Sequence, residues 1–428
     1  MLVLLDTDTL QESAPPFPHQ MVSHNLSPTI RLDRFVVAVA FFALVASASE
    51  GEDWFRYRGP DLNGISSESI LSVPWDADGP DVPWRTQVGT GLSSVAISEG
   101  SLYTIGNEAN TDTVVCLSTH DGEVFWKHSY PCPTDPNEFE GGPTSTPTVD
   151  GDRVYTLSRT GDLFCFDKRT GDVVWSTNVA EETEVRIPAW GFAGSPLVYG
   201  DLLILNVGDA GAAFQKSDGT LVWKSDDKDS GYATPVPFQD KAIILASARS
   251  YVAVDASTGG ELWRQRWLTT FGCNAADPII QNNQVFLSSG YNRGSALLKV
   301  QDGEPEVVWK NKDLQNQIST SVLIDGHIYG IHGDVDNGTE LRCIEFATGE
   351  LKWATDAVRP GGLSAAGDRL VILSGSGELV IAGANAAQFD PVCRHFILDE
   401  KCWTAPVVSQ GKIYCRSVRG DLACIVVQ

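Results

Sequence analysis

The stretch from Ser145 to Val179 reads STPTVDGDRVYTLSRTGDLFCFDKRTGDVVWSTNV. It contains four runs rich in Val, Tyr, Phe and Trp, separated by three turn signals that each carry a glycine. Such runs favour β-strands, and glycine tolerates the positive φ of a tight turn. The stretch therefore predicts a four-stranded antiparallel meander. One small sheet buries too little apolar surface to be stable alone, so it needs similar sheets as neighbours.

The same unit recurs along the chain. Six copies end in a tryptophan, and these residues are 49, 48, 40, 46 and 44 positions apart: Trp126, Trp175, Trp223, Trp263, Trp309 and Trp353. A four-stranded unit that repeats every 40–50 residues or so is typical of a β-propeller blade.

Two further units lack the closing tryptophan. In the unit that begins at Gly362, we expect Phe396 to replace it. The last unit, from Thr404, supplies three strands before the chain ends, and the segment 82–85 near the N-terminus supplies a fourth. The sequence therefore predicts an all-β, eight-bladed β-propeller of four-stranded antiparallel blades, in which an N-terminal strand closes the last blade.

The repeat SPxVxGDxVYxLSxxGxLxxLDxxTGxxxW, clearest in residues 145–175, resembles that of the pyrroloquinoline-quinone-like (PQQ-like) β-propellers. That superfamily includes the quinoprotein alcohol dehydrogenases and the BamB-type outer-membrane assembly scaffold. Residues 53–66, DWFRYRGPDLNGIS, are similar to the lead-in of many secreted bacterial members. The resemblance implies the fold strongly but an activity only weakly, since one ring architecture hosts unrelated functions.

The charge of the chain narrows the choice of partners. The formal net charge is −24 with a pI near 4.6, and the sequence has no Lys/Arg-rich run. A nucleic-acid partner would require a basic stripe, so we expect none. A self-repelling acidic surface instead predicts a soluble protein, and we expect a monomer.

The N-terminal region has the parts of a secretory signal. Arg31 and Arg34 precede a short apolar run that ends in Ala46-Ser47-Ala48. This pattern predicts cleavage near Ala48 and no stable membrane insertion, and an uncleaved anchor is the alternative. The usual signal length favours a true start at Met21. We therefore expect a leader over 1–48, an extension with the ring-closing strand over 49–91, and the propeller repeats over 92–428, in a periplasmic or extracellular protein.

Nine cysteines in an exported chain need an explanation. Four occupy the same place in the third strand of their units, which predicts small buried side chains: Cys116, Cys165, Cys343 and Cys424. Cys402 and Cys415 flank adjacent strands, so a disulfide between them is an open alternative. No cysteine precedes Cys116, so the lipid-anchor cysteine that a BamB-type lipoprotein implies is missing.

The closing tryptophans are predicted to pack between blades, and a binding site is expected where the repeat breaks its pattern. Loops from the outer strand of one blade to the inner strand of the next gather at the mouth of the central channel, and such loops commonly carry function. The candidate ligand-binding residues there are Arg186, Trp190, Tyr232, Asn274, Asn316, Gln317, Arg359 and Trp403. Aromatic faces with amide and guanidinium donors suit a protein, a peptide, a glycan or a planar ring. The alternative is that these residues only fill the channel mouth.

Two functions remain open at this point. The sequence favours an exported, non-catalytic scaffold that binds a partner in the cell envelope, with no catalytic residues and no assigned metal. The alternative, implied by the resemblance, is a PQQ-dependent alcohol or polyvinyl-alcohol dehydrogenase. In such enzymes the quinone lies between a tryptophan and a disulfide of adjacent cysteines, beside a calcium ion. Trp190 could stack on the quinone, and Asn274 and Asp277 are weak calcium candidates, but the sequence has no Cys-Cys pair.

Overall fold

The structure, a computed structural model, describes residues 51–70, 73–75, 78–137, 139–334 and 338–427. The predicted leader and its cleavage near Ala48 lie outside these residues. All the described residues belong to one unit, Ser49–Gln428.

Short strands separated by tight turns make up nearly all of the described chain. Within it, helical structure is confined to α1 (Val179–Thr183) and a 3₁₀ turn at Thr270–Gly272. No helix among the described residues is long and apolar enough to cross a membrane.

The strands form eight sheets, which confirms the predicted eight-bladed propeller. Two strands precede the blades, β1 (Ile65–Ser66) and β2 (Trp84–Gln87). The strands of blades one and two are β3 (Ala96–Ser98), β4 (Ser101–Glu108), β5 (Thr111–Ser118) and β6 (Val124–Pro131), then β7 (Thr148–Asp150), β8 (Arg153–Leu157), β9 (Asp162–Asp167) and β10 (Val173–Asn178). Those of blades three and four are β11 (Leu197–Tyr199), β12 (Leu202–Leu205), β13 (Ala212–Gln215) and β14 (Leu221–Lys224), then β15 (Val236–Phe238), β16 (Ala242–Ala246), β17 (Ser250–Asp255) and β18 (Glu261–Arg266).

The second half of the ring repeats this arrangement. The strands of blades five and six are β19 (Ile279–Gln281), β20 (Gln284–Ser289), β21 (Gly294–Gln301) and β22 (Glu304–Asn311), then β23 (Val322–Ile324), β24 (His327–Asp334), β25 (Gly338–Glu345) and β26 (Leu351–Thr355). Those of blades seven and eight are β27 (Pro360–Ala366), β28 (Arg369–Ser374), β29 (Glu378–Gly383) and β30 (Asp390–Phe396), then β31 (Val407–Ser409), β32 (Lys412–Arg416) and β33 (Asp421–Val426).

Within each blade the strands pair antiparallel in chain order, from the innermost to the outermost. Blade eight takes its outermost strand from the N-terminus: β2 pairs with β33, with Trp84 opposite Cys424 and Gln87 opposite Asp421. The predicted closure of the ring by an N-terminal strand is thereby confirmed. In addition, β1 adds a short parallel strand beside β27 of blade seven, with Ile65 opposite Ala365.

One hydrophobic core lies in each gap between neighbouring blades, so that eight clusters of buried side chains follow the ring. The middle strands are covered on both faces, and β16 is buried along its whole length. The cluster between blades eight and one joins Trp84 and Leu102 to Tyr414 and Leu422. The same packing therefore closes the ring and joins its other blades.

The closing tryptophans dock against the following blade, as predicted. In six blades the indole Nε1 donates to a backbone carbonyl of the following blade over 2.8–3.2 Å. These residues are Trp126, Trp175, Trp223, Trp309 and Trp353, together with Trp84, which takes the closing position in blade eight. In five of these six, all but Trp353, the indole ring also lies on a turn glycine of the neighbouring blade. A Cβ at Gly171, for example, would come within 2.5 Å of the Trp126 ring.

The expected replacement of the blade-seven tryptophan by Phe396 is wrong. Phe396 is 61% exposed, and the register of the closing tryptophans falls on Cys393, which lies opposite Ile381. Trp75, from the N-terminal extension, packs with Cys393 against the core between blades seven and eight. A side chain from outside the repeat therefore helps to fill the gap that the repeat leaves there.

Eight of the nine cysteines are buried, and Cys393 is half-buried. The four that recur in the third strands are buried and lie opposite closing tryptophans, as Cys165 does with Trp175. All nine cysteines lie in the described part of the chain and are free, so the alternative of a Cys402–Cys415 disulfide is not realised.

Candidate functional site

The inner strands of the blades surround a central cavity of about 600 Å³. The N-terminal residues 54–64 line one end of this cavity, and we call them the floor. The other end, the mouth, is bordered by the loops that join each blade to the next, where Phe271 is 65% exposed. The cavity is therefore a channel that the start of the described chain closes on one side.

The floor is held by contacts that reach around the ring. The Ile97 N–H of blade one donates to the Trp54 carbonyl over 2.9 Å, and Leu62 packs into the core between blades three and four. The guanidinium of Arg58 donates to the carbonyls of Leu62, Asn63 and Ser321 over 2.7–3.1 Å. These contacts fix the segment DWFRYRGPDLNGIS as a structural closure of the channel.

Arg58 also faces the single carboxylate among the described residues that line the cavity. Its Nε lies 3.8 Å from Oδ2 of Asp277, and both side chains are almost completely buried. Burial raises the pKa of the Asp277 carboxyl to about 6, although Arg58 and the Thr234 N–H oppose that rise. The cost of removing the carboxylate from water therefore exceeds its attraction to the nearby guanidinium.

Asp277 takes part in a chain of hydrogen bonds that links the inner edges of six blades. At each step a backbone N–H donates to the side-chain oxygen of the equivalent residue in the next blade, over 2.8–3.1 Å. The series runs Ser94, Thr146, Ser195, Thr234, Asp277 and Thr320. Asp277 is the one carboxylate in a series of hydroxyls. Its Oδ1 accepts the bond from Thr234, and its Oδ2 has no hydrogen-bond donor among the described residues.

Four aromatic rings form a continuous edge-to-face series at the mouth. Trp190 meets Tyr232 and Phe271 with ring centroids 5.6 and 6.1 Å apart, and Phe271 meets Tyr291 at 5.7 Å. The Trp190 Nε1 donates to the Asn137 carbonyl over 3.1 Å, and Gln317 Nε2 donates to the Tyr291 hydroxyl over 2.9 Å. We call Trp190, Tyr232, Phe271 and Tyr291 the aromatic rim.

Two members of the aromatic rim have an unfavourable backbone conformation. Phe271 has a φ of 62° and Tyr291 a φ of 52°. Left-handed backbone at a bulky residue costs on the order of 1–3 kcal/mol, and such strain is concentrated at functional sites. The rim is therefore a place where the fold accepts strain to orient aromatic side chains.

The structure brings five of the eight candidate residues to the cavity or beside it. Trp190, Tyr232, Gln317 and Trp403 line the central cavity. Arg359 lines an adjoining hollow of about 430 Å³, which also includes Gln317 and Trp403. The ammonium of Lys401 lies 3.6 Å above the Trp403 ring and is paired with the Glu140 carboxylate over 3.1 Å.

The structure places the other three candidates away from both hollows. The side chain of Arg186 is 64% exposed and pairs with Asp227 and Asp229. Asn274 is buried and donates to the carbonyls of Ser247 and Trp267, at 2.9 and 3.1 Å. Asn316, also buried, donates to the Ile331 carbonyl over 2.9 Å. The two asparagines therefore hold the loops that carry the mouth.

Sequence reasoning missed Arg58, Phe271 and Tyr291. Arg58 lies in the lead-in motif, but its partner Asp277 is far along the chain. Phe271 belongs to TTFGCNAAD, one of the loops expected to reach the mouth. Asp277 could have been found more directly, because it is the acidic residue where the three preceding units have Ser-Pro or Thr-Pro.

The cavity does not offer the calcium ligands that the resemblance implies. Calcium takes about six to eight oxygen ligands, whereas the Asp277 carboxylate is paired with Arg58 and the amide oxygen of Asn274 accepts a hydrogen bond from the Ser289 hydroxyl over 3.2 Å. The part of the chain that the structure describes has no group of three His, Cys, Asp or Glu residues arranged to hold a metal ion. The weak calcium candidates Asn274 and Asp277 therefore do not form a ligand set.

Fold and cavity together define a PQQ-like propeller with a central channel closed on one side. Solved structures share this fold: BamB from Moraxella catarrhalis is 15% identical, with a TM-score of 0.63, and the match covers 81% of this chain and 99% of that one. Quinohemoprotein alcohol dehydrogenase from Comamonas testosteroni is 12% identical, with a TM-score of 0.65 and coverage of 88% and 80%. A europium-containing methanol dehydrogenase is 9% identical, with a TM-score of 0.63 and coverage of 87% and 89%. At such identities the likeness concerns the fold alone.

The family of the chain follows from its sequence. A family model described as outer membrane protein assembly factor BamB matches residues 110–355, which is more than half of the chain. The chain belongs to this family. No curated protein matches the sequence significantly.

Proposed function

We propose that the protein is a non-catalytic binding propeller of the cell envelope, which holds part of a protein, peptide or glycan partner at the mouth of its central cavity. The observation that carries this proposal is the cavity itself. It is closed by the floor and bordered by the aromatic rim, and the single carboxylate among its described lining residues is paired with Arg58.

The lining has the character of a binding site more than of a catalytic one. General acid–base catalysis needs a titratable group within hydrogen-bond reach of the substrate, and the side chain of Asp277, the single carboxylate of the described lining, is only 2% exposed. Asp277 is flanked by Arg58 and engaged by the Thr234 N–H. Ordered aromatic rings with a few polar groups are instead the usual composition of a recognition pocket.

Family membership supports the same proposal. The family is described as an outer membrane protein assembly factor, which favours a macromolecular partner and a place in the envelope. The signal-like segment before Ala48 favours export to the periplasm or beyond. The net charge of −24 favours a soluble form of this exported protein.

A dehydrogenase remains the second candidate, because quinohemoprotein alcohol dehydrogenase shares the fold over 88% of this chain. The poor match of Asn274 and Asp277 to a calcium site argues against it. Adding the quinone and calcium to the purified protein, followed by a dye-linked assay of alcohol oxidation, tests this candidate. Cofactor uptake with oxidation would replace the binding proposal, whereas no uptake would remove the dehydrogenase.

The binding proposal is tested by affinity capture from envelope extracts with matched variants. Phe271→Ala and Trp190→Ala shorten the aromatic rim, while Phe396→Ala removes an equally exposed phenylalanine from an outer strand. We expect a partner that the wild type and Phe396→Ala retain and that the two rim variants lose. Equal retention by all four proteins would place the partner elsewhere and reject the proposed site.

A further inference from the structure

We infer that the hollow beside the central cavity binds a carboxylate group of a peptide partner, while an apolar side chain of the same peptide lies at the aromatic rim. This inference rests on the binding role proposed above and specifies the partner class and a second anchor for the same site. We call this hollow of about 430 Å³ the Arg359 hollow; its described lining includes Gln317, Ser319, Thr339, Arg359, Ser376 and Trp403.

The Arg359 hollow and the central cavity form one continuous surface. Residues 317–319 and Trp403 line both of them. The Gln317 amide also donates to the hydroxyl of Tyr291, a member of the aromatic rim, over 2.9 Å. An extended ligand can therefore contact the rim and the hollow at the same time.

Arg359 carries the free cationic group of this surface. Its side chain is exposed and forms no ion pair or hydrogen bond with another described residue. Two hydroxyls of the lining are already engaged, since Ser319 donates to the Gly361 carbonyl over 3.1 Å and Thr339 to the Pro360 carbonyl over 3.0 Å. The N–H groups of the guanidinium are therefore the largest set of donors that is open to a ligand.

The charge balance of the two linings favours a single negative group. Among their described residues the charged ones are Arg58, Asp277 and Arg359, and Arg58 is paired with Asp277. One positive charge therefore remains, in a chain whose net charge is −24. Lys401 is paired with Glu140 and does not change this balance. Charges more than about 8 Å away are largely screened at physiological ionic strength, so the local balance decides which ligand group is bound.

A carboxylate fits this single guanidinium better than a phosphate does. Arginine and a carboxylate pair through two parallel N–H···O bonds, and their unit charges cancel. A phosphate group carries about −1.5 to −2 charges at neutral pH. The described lining of the Arg359 hollow has no second cation to balance the additional charge.

A peptide fits the whole surface better than an acidic saccharide does. A sugar needs polar partners for its many hydroxyls, whereas the rim offers aromatic rings and the hydroxyls of Ser319 and Thr339 already donate to the backbone. A peptide carries apolar side chains for the rim and an acidic side chain, or its C-terminal carboxylate, for Arg359. The family description, an outer membrane protein assembly factor, likewise favours a protein partner.

The test uses an array of peptides synthesised in pairs that differ only in Glu or Gln at one position, together with acidic oligosaccharides. Each ligand retained is then titrated calorimetrically into the purified full chain. Arg359→Gln removes the guanidinium but keeps the backbone carbonyl that accepts from the Gly375 N–H, so this protein is expected to fold. Arg169→Gln is the matched control, because Arg169 is an exposed arginine in the turn between β9 and β10 that lines neither hollow.

We expect the wild type to bind a Glu peptide about tenfold more tightly than its Gln counterpart, the effect of one charge-assisted pair. Arg359→Gln should abolish that difference, and Arg169→Gln should keep it. Phe271→Ala should weaken the binding of both peptides alike, because it removes the apolar anchor. The inference is overturned by equal binding of the paired peptides to the wild type, by the same loss in both arginine variants, or by retention of acidic oligosaccharides instead of peptides. An array on which no peptide is retained overturns it as well.

Capture from envelope extracts separates this inference from the proposed function. If the partner is lost by Phe271→Ala but retained by Arg359→Gln, the proposed function stands and the carboxylate anchor fails. If both variants retain the partner as the wild type does, both fail.

Discussion

Trp84 and Cys424 lie opposite each other on paired strands of blade eight, although one is near the start of the described chain and the other near its end. The indole Nε1 of Trp84 also donates to the Thr119 carbonyl of blade one over 3.2 Å. Trp84 therefore joins the two ends of the ring twice, once within a sheet and once across the gap to the next blade.

Replacing Trp84 by alanine should destabilise the protein by about 3–5 kcal/mol, the usual cost of truncating a buried tryptophan. The change removes packing against Tyr414 as well as the hydrogen bond to Thr119. Chemical denaturation measures the effect, and Phe125→Ala is the control, because Phe125 is 57% exposed on the outer strand of blade one. A Trp84→Ala protein as stable as the Phe125→Ala protein would contradict the role given to ring closure.

Deleting residues 49–90 should cause self-association. The deletion removes β2, so that β33 is left with a free edge, and exposed strand edges pair with other chains. It also removes the floor. Light scattering measures the result, with a chain that lacks only residues 1–48 as the control. A shortened chain that remained monomeric would show that β2 is not needed to protect β33.

Gly171→Ala should be clearly more destabilising than Gly151→Ala. Both glycines have positive φ, 74° and 54°, so alanine strains the backbone at both sites. At Gly171 the added Cβ would also lie 2.5 Å from the Trp126 ring, whereas at Gly151 it would meet nothing within 4 Å. The difference in the free energy of unfolding therefore isolates the docking of the tryptophan. Equal losses would mean that the indole moves aside without cost.

Removing one hydrogen bond between the inner edges of two blades should lower the stability of the protein. Thr234→Val removes the acceptor of the buried Ser195 N–H, and an unsatisfied buried donor costs about 1–3 kcal/mol. Thr234→Ser keeps the hydroxyl and should recover most of that loss. Denaturant unfolding of the three proteins measures the effect. If the serine variant were no more stable than the valine variant, the bond between blades three and four would contribute nothing.

The ring could be predicted from the sequence because the spacing of the closing tryptophans counts the units. The segment 82–85 could be assigned to blade eight because the last unit has only three strands of its own. The assignment of Phe396 is wrong because spacing alone cannot show that a bulge in β30 puts Cys393 at the tryptophan position. That register depends on the pairing of two strands, which single-sequence patterns do not contain.

The site could be predicted only in part. The loop positions of Trp190, Tyr232, Gln317 and Trp403 follow from the order of strands in a blade. Asn274 and Asn316 have the chemistry of ligand-binding residues, but a buried amide in a loop is as well suited to bonding backbone carbonyls, as both do. The floor could not be foreseen, since DWFRYRGP has no strand periodicity and Arg58 finds its partners in distant blades.

The last prediction concerns the pH dependence of stability. Burial raises the pKa of Asp277 to about 6 in the folded protein, above the ordinary value of 3.8 for an aspartate. The folded state therefore binds the Asp277 proton more tightly than the unfolded state. Its contribution to stability is fully present below about pH 4 and is lost as the pH rises through about 6. An asparagine side chain cannot ionise, so the Asp277→Asn substitution should remove this contribution to the pH profile.

Denaturant unfolding of wild type and Asp277→Asn at about pH 4.5 and about pH 7 tests the sign. Subtracting the two proteins at each pH cancels the other carboxylates, which titrate in both. Relative to the variant, the wild type should lose up to about 2 kcal/mol between the acidic and the neutral measurement, since each pKa unit corresponds to about 1.4 kcal/mol and about a third of the total loss already occurs below about pH 4.5. Arg58→Met should raise the pKa of Asp277 further and move the loss to higher pH, because the nearby positive charge is gone. A wild type that instead gained stability relative to Asp277→Asn at neutral pH would mean that the attraction of Arg58 outweighs the burial of Asp277.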